Sequence, residues 1–584
     1  MIIKKTSLAI LWSHLTKRRK KQFLLLLILM ILGSLAEIIS IGLVLPFLGI
    51  LTAPEQVYQH SLMQPVIQIL GLTEPRQLIL PLTILFIAAS LLAGAIRLTL
   101  LYVMTRLSFA TGADLSLNIY RRTLYQDYKV HVSRNSSEVI NGIITKSSTV
   151  TGGVISPALI FVSSTIMFTG VMGALFLINP SIALSSSIAF GLLYWIVISY
   201  TKTRLRDNSK IIADHSTQMI KSLQEGLGGI RDIIIDGGQK FYCKLYRNAD
   251  LPMRHASGRN AFIGGSPKYI MESVGMMFIA GIAYTMTRQE GVTSATIPVL
   301  GALALGAQRL LPTLQQAYYS YSKIRGSKAS LEDVLELLDQ PLPEYANQPP
   351  PEPIHFVKDI KLSNLDFRYT GDSPWILKNV NLSLKKGSRI GFIGATGSGK
   401  STLLDIIMGL LPPTEGSLLI DNQIINKQNR RAWHAHIAHV PQNIYLSDGT
   451  IEENIAFGVE KKLIDHQRVK KAAQQAQISE LLGQHKDGYQ ALVGERGVRL
   501  SGGQRQRIGI ARALYKQADV LIFDEATSAL DNETEKAVME SIENLGRDLT
   551  ILIIAHRLTT LKGCDQIVDL KAGEVLIESP DSYN

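Results

Sequence analysis

Six apolar runs constrain this chain more than anything else in it. They lie at about 23–52, 78–104, 154–178, 181–200, 262–286 and 293–322. A helix needs roughly 20 apolar residues to cross a hydrocarbon core about 30 Å thick. A peptide group in lipid meets no water, and a helix is the segment that satisfies its own backbone hydrogen bonds. The runs therefore predict six transmembrane helices in an all-α domain spanning residues 1–337. The first and last runs exceed the need and predict tilt or projection beyond the bilayer. Only 46% of the 584 residues are hydrophobic, too few for a pure membrane protein, so a soluble part must follow.

Lysine and arginine orient the spans. Lys17-Arg18-Arg19-Lys20-Lys21 precedes the first, and the segments 105–150 and 201–260 are long and basic. The other connections carry only Arg76 and Arg288. The positive-inside rule puts the N-terminus, both long segments and the C-terminal half on the cytoplasmic side. The net charge of +12 is then a topology signal, and no nucleic-acid partner is expected. The basic N-terminus and the long first run predict no cleavable signal peptide. The two cysteines, Cys243 and Cys564, fall in cytoplasmic segments and predict no disulfide. Stretches 124–131 and 226–235 read as short cross-helices on the inner side. Outside, residues 52–77 have apolar positions at 58, 62, 66 and 69–70. That spacing predicts an interfacial helix, which Pro65 either kinks or restarts.

Residues 338–353 are proline-rich and read as an extended linker. Short apolar strands then alternate with helices, which predicts an α/β domain over 354–584. Its strongest motif is RIGFIGATGSGKSTLLDII (389–407), a strand running through a glycine loop into a helix. Gly394, Thr396, Gly397, Ser398 and Gly399 can curl their amides around phosphates, with Thr402 in the helix that follows. Lys400 reaches the outer phosphates, and Ser401 ligates Mg²⁺. A second strand ends in Asp524-Glu525. Asp524 is placed to hold Mg²⁺, and Glu525 to polarise an attacking water.

LSGGQ (500–504) resembles the signature of the ATP-binding cassette, or ABC, family. That resemblance covers the whole C-terminal half and implies an α/β P-loop nucleotide-binding domain fused to an exporter-type membrane domain. It implies roles for further residues: Tyr369 to stack on adenine, Gln442 to sense Mg²⁺, His556 to contact the γ-phosphate, and Ser528–Asp531 as the D-loop. VGERG (493–497) resembles a stretch typical of exporters. In the family, Ser501, Gly502, Gly503 and Gln504 cap the ATP of a second domain. One cassette and six spans therefore imply a half-transporter working as a homodimer, with 124–131 and 226–235 as coupling elements. ATP and Mg²⁺ are the implied cofactors.

The cargo must be read from charges inside the membrane. Arg97, 19 residues below the outer start of its span, lies about 28 Å down. Lys268 and Arg309 reach about the same level in the inner half. Two readings compete. The cations pair with Glu37 and Glu272, or they hold a phosphate-bearing head group. AEIISIGLVLPF (36–47), SPKYIMESVG (266–275) and GAQRLLP (306–312) resemble bacterial lipid-linked oligosaccharide flippases. That resemblance implies a polyprenyl-diphosphate saccharide, with Arg97, Lys268 and Arg309 on its diphosphate. An ammonium cannot bind bidentately, so Lys268 is the weakest of the three. The rivals are an exporter of drugs, lipids or peptides, and an ATP-gated channel or regulator. The intact Glu525 argues against the last.

Overall fold

The computed structural model describes residues 6–52, 54–61, 63–178, 180–288, 296–478, 482–483, 486–525, 532–543, 548–554, 561 and 563–578. The chain divides into two compact units. One holds Met1–Gln126 and His131–Pro343, and the other holds Asp127–Val130 and Glu344–Asn584.

All six apolar runs are helical over their described residues, and most outrun the bilayer. Ile79–Leu124 has 46 residues and Pro180–Gly228 has 49, which makes the second about 74 Å long. Three helical stretches among the described residues, Lys17–Ser40, Pro75–Leu124 and Ser136–Phe176, are long and apolar enough to cross a membrane. The first run is not one helix. It breaks between Lys17–Gly42 and Val44–Thr52, because Pro46 has no N–H to give the Gly42 carbonyl. The outer segment takes the restart form: Pro54–Gln59 ends, and Gln64–Leu70 begins with Pro65 in its first turn. Gly71, at φ 61°, closes it in the left-handed region.

On the inner side, the helices Ser7–His14 and Lys328–Leu338 meet the extensions of the spans. Leu11, Ile119, Val150, Val154 and Leu338 form their shared core. Two π-helical turns, Gly142–Lys146 and Thr151–Ile155, interrupt the helical stretch there. Each lies where the backbone is approached closely. A Cβ on Gly142 would sit 2.3 Å from Leu337, and one on Gly153 2.2 Å from Ser327. The extra residue of a π-turn re-aims its side chains. The linker is not loose, since Arg122 donates to the Gln340 carbonyl and Gln126 to that of Pro341 at 2.9 Å.

The C-terminal unit has two sheets. β1 (Asp359–Phe367), β2 (Leu377–Lys385), β4 (Glu415–Ile420) and β5 (Gln423–Ile424) form an antiparallel sheet in the order β2-β1-β4-β5. The larger sheet contains β3 (Arg389–Gly394), β6 (Ile437–Val440), β7 (Val520–Asp524), β8 (Thr550–Ile554), β9 (Gln566–Lys571) and β10 (Glu574–Glu578), in the order β10-β9-β3-β8-β7-β6. Its inner pairs are parallel. Burial follows the geometry. β2 alternates buried and exposed residues, whereas every residue of β8 is buried, as a parallel strand covered on both faces requires. Phe392 and Trp433 are fully buried in the core, and Trp433 Nε1 donates to the Ile407 carbonyl at 2.8 Å.

Gly112 offers a test of the inner packing. A Cβ there would lie 2.2 Å from Thr151 Oγ1, and that hydroxyl is held by its bond to the Ser147 carbonyl at 3.0 Å. Gly112→Ala is expected to destabilise the membrane unit by about 1–3 kcal/mol through overpacking, despite alanine's better helix propensity. Gly94→Ala on the same helix meets open space and should be neutral or stabilising. Thermal unfolding in detergent compares them.

Candidate functional site

The phosphate loop leaves the carboxyl end of β3 and enters the helix Lys400–Ile407, the edge at which parallel sheets hold ligands. Gly394 and Gly399 sit at φ 137° and 102°. A Cβ on Gly394 would also strike the Leu570 carbonyl oxygen at 2.5 Å, so that position requires glycine. Lys400 is buried, and its Nζ donates to the carbonyls of Gly394 at 2.8 Å and Ala395 at 3.1 Å. That folds its ammonium over the loop. Ser398 Oγ is buried with no hydrogen-bond partner, a polar atom that a phosphate oxygen can satisfy. The residues fit a bound polyphosphate.

β7 brings the acids to the same edge. The Ser401 hydroxyl is hydrogen-bonded to the Asp524 carboxylate, so the two expected metal ligands are already adjacent. Burial and then the charge of Glu525 raise the Asp524 pKa, against the Ser401 bond and Lys400. A dication would relieve that cost, and oxygen donors of this kind suit Mg²⁺. Glu525 holds φ 51°, an unusual backbone for a residue with a side chain. Gln442 Nε2 donates to Glu525 Oε2 at 2.7 Å. The Tyr369 hydroxyl lies 3.3 Å from Thr402 Oγ1, which sets its ring beside the loop helix.

Ser501 stands apart in another role, as the N-cap of the helix Gly502–Lys516. Its Oγ accepts from Gln504 N at 3.2 Å, while Gln504 Oε1 accepts from Ser501 N at 2.8 Å. Ser501 and Gly502 are exposed, and Gly503 is half-buried. His556 and Ser528–Asp531 lie outside the described residues.

Two contributors escape a motif reading. Asp127, from the first inner cross-segment, belongs to the C-terminal unit. It pairs with Arg430 and lies 3.5 Å from Lys427. Burial works to raise its pKa, but those cations outweigh it and hold the carboxyl down. Asp405 lies one helical turn beyond Ser401, on the same face. Burial, then the nearby Asp524, push it up to about 6. Its spacing from Ser401 was the available signal.

In the membrane unit the structure forms both ion pairs of the competing reading. Arg97 Nε lies 3.3 Å from Glu37 Oε2, and Lys268 Nζ 3.9 Å from Glu272 Oε1. The Glu37 side chain is 1% exposed and that of Arg97 41%, so the guanidinium keeps an open side. Arg309 is in the helix Thr296–Gly326, with its side chain outside the described residues.

Asp405 carries a pH signature. Its folded pKa is raised, so the folded state binds the extra proton between about pH 4 and 6 and loses stability as pH rises through that window. Asp405→Asn should therefore gain on the wild type as pH goes from 4 to 7. Thermal unfolding without nucleotide measures this, and parallel pH curves would refute it.

Comparison with known proteins bears on both units. Residues 22–297 match the ABC transporter transmembrane region, and 377–528 match the ABC transporter domain. An ATP-dependent lipid A-core flippase of Alkalilimnicola ehrlichii is 32% identical over 393 residues, 67% of this chain and 66% of the relative. The same-named protein of Aliivibrio fischeri is 32% identical over 383 residues, 65% of each. The chain thus spans slightly less than two thirds of the length of these relatives. The heterocyst differentiation ATP-binding protein HepA of a Nostoc species is 28% identical, over 96% of this chain and 91% of its own. A bacterial Atm1-family ABC exporter with ATP bound shares the fold, with TM-score 0.77 over 97% of this chain and 96% of that one, at 24% identity. With a membrane region and an ATP-binding domain in one multi-pass polypeptide, the chain belongs to the ABC transporters as a half-transporter.

Proposed function

We propose that this ABC transporter is an ATP-driven flippase that moves a lipid with a phosphate-bearing saccharide head from the cytoplasmic to the outer leaflet. A polyprenyl-diphosphate-linked oligosaccharide is the favoured cargo. The observation that carries the reading is Arg97. A guanidinium at bilayer depth is costly and marks a substrate path by default. Its pairing with Glu37 uses one edge and leaves other N–H donors of the fork for phosphate oxygens. Spontaneous flipping of such a head group is very slow, because its charges and hydroxyls would lose water. The flippase names of two relatives support the reaction class.

The ATP site drives the cycle. Gly394–Thr402 cradle the nucleotide's phosphates, Lys400 neutralises them, and Tyr369 stacks on the base. When bound, Mg²⁺ held by Ser401, Asp524 and Gln442 offsets charge on the phosphates. Glu525, held by Gln442, orients the attacking water and takes its proton, and His556 contacts the γ-phosphate. Ser501 and Gly502 are exposed at a helix N-terminus, with Gly503 and Gln504 half-buried behind them, and there a second copy's nucleotide can be capped by amides. That makes the working unit a homodimer with two equivalent sites. Closing the pair biases the spans between inward and outward access.

Two measurements test this. Glu525→Gln should lower ATP hydrolysis by about 10²–10⁴-fold while ATP binding persists. In lipid nanodiscs, a polyprenyl-diphosphate oligosaccharide should stimulate the wild-type ATPase, and Arg97→Ala and Arg309→Ala should lose that stimulation yet keep the basal rate. Stimulation by a lipid A-core glycolipid alone would move the cargo to that of the relatives. If only cationic drugs stimulate, and both variants match the wild type, Arg97 returns to a structural ion pair and the flippase reading falls.

A further inference from the structure

A groove of about 520 Å³ runs along one side of the seam between the helices Lys17–Gly42 and Ile79–Leu124. Its rim is cationic and its floor apolar. Arg18, Arg19 and Arg106 line one end, with Leu25, Leu29 and Val103 further along. Among the described residues, no acidic one lines it. The three arginines are not equivalent. Arg19 is committed: Nε donates to Asp114 at 2.7 Å, Nη1 to Gln22 at 2.9 Å and Nη2 to the Ala110 carbonyl at 3.3 Å. Arg18 is exposed. Arg106 is exposed too, and its Nη1 donates to the Tyr102 hydroxyl at 2.8 Å, which steadies the guanidinium beside the groove. Arg18 and Arg106 therefore bring positive charge that the groove itself does not neutralise.

The site differs from the one proposed for cargo. Arg106 follows Arg97 by nine residues, about two and a half helical turns, so the two project from opposite sides of their helix. Its level differs as well, since Arg106 is about 14 Å further toward the inner surface. There the cationic end is at the level of the inner headgroups, and Leu25 and Leu29 lead from it toward the hydrocarbon. Basic pockets between membrane helices on the cytoplasmic side suit anionic lipid heads.

We propose that this groove binds an anionic phospholipid of the cytoplasmic leaflet, with its phosphate on Arg18 and Arg106 and an acyl chain along Leu25 and Leu29. A soluble anion would use only the rim and leave the apolar floor unexplained. A second copy meeting this face through a two-fold axis would set arginines against arginines.

The test is native mass spectrometry of the full chain in detergent, titrated with dioleoylphosphatidylglycerol against dioleoylphosphatidylcholine. The wild type should retain the anionic lipid preferentially. Arg18→Ala/Arg106→Ala should weaken that binding by about tenfold, as expected for the loss of charge-assisted bonds to phosphate. Arg76→Gln, on the outer side and away from the groove, should leave it unchanged, and glycerol phosphate should not compete. Leu29→Trp keeps both arginines and fills the apolar part. It should give a similar loss and serves if the double variant does not fold. Equal retention of the two lipids, unchanged binding in both groove variants, displacement by glycerol phosphate, or a change of oligomeric state alone would overturn the proposal.

Discussion

A peptide group in hydrocarbon has to find its hydrogen bond within its own helix. That constraint makes the membrane half of this chain all-α, and it explains where the half is irregular. Pro46 cannot donate, so the first run breaks beside Gly42. The outer segment at 54–70 restarts at Pro65 for a related reason. The π-turns at 142–146 and 151–155 fall where the basic inner stretch passes into the third apolar run. There, close approaches to Ser327 and Leu337 reward the altered register.

The C-terminal unit obeys a different economy, set by charge repulsion. Three carboxylates, Asp405, Asp524 and Glu525, are gathered at one edge of a buried parallel sheet. Their mutual repulsion, added to burial, raises the first two. Lys400 and the Ser401 hydroxyl offset this only in part. A site of that kind is held ready for an external cation, and the left-handed backbone at Glu525 shows that the scaffold tolerates local strain to keep the acid in place.

Much of this was legible in the sequence. Local motifs with fixed spacing, such as 394–401 and 524–525, land together because strand–loop–helix geometry is short-range. The six runs are helical because burial in lipid leaves no alternative. What escaped depends on distant partners. The sequence offers Glu37 as one partner for the membrane cations, but that it is Arg97 that meets it, sixty residues away, depends on how two helices rotate against each other. The placement of Asp127 beside Arg430 spans some three hundred positions. The break at Gly42 was readable from Pro46, yet a continuous apolar run masks it. Asp405 was readable too, but only once Ser401 has a helical face to share.

The helix Pro180–Gly228 runs 49 residues without interruption. Its backbone bonds make it a stiff rod about 74 Å long. A rod of that length is a lever. A change of tilt of only about 5° at one end carries the other through about 6 Å, roughly one helical turn. Displacements of the size that separate packed states of helices can thus arise from angular changes too small to disturb any single contact along the shaft.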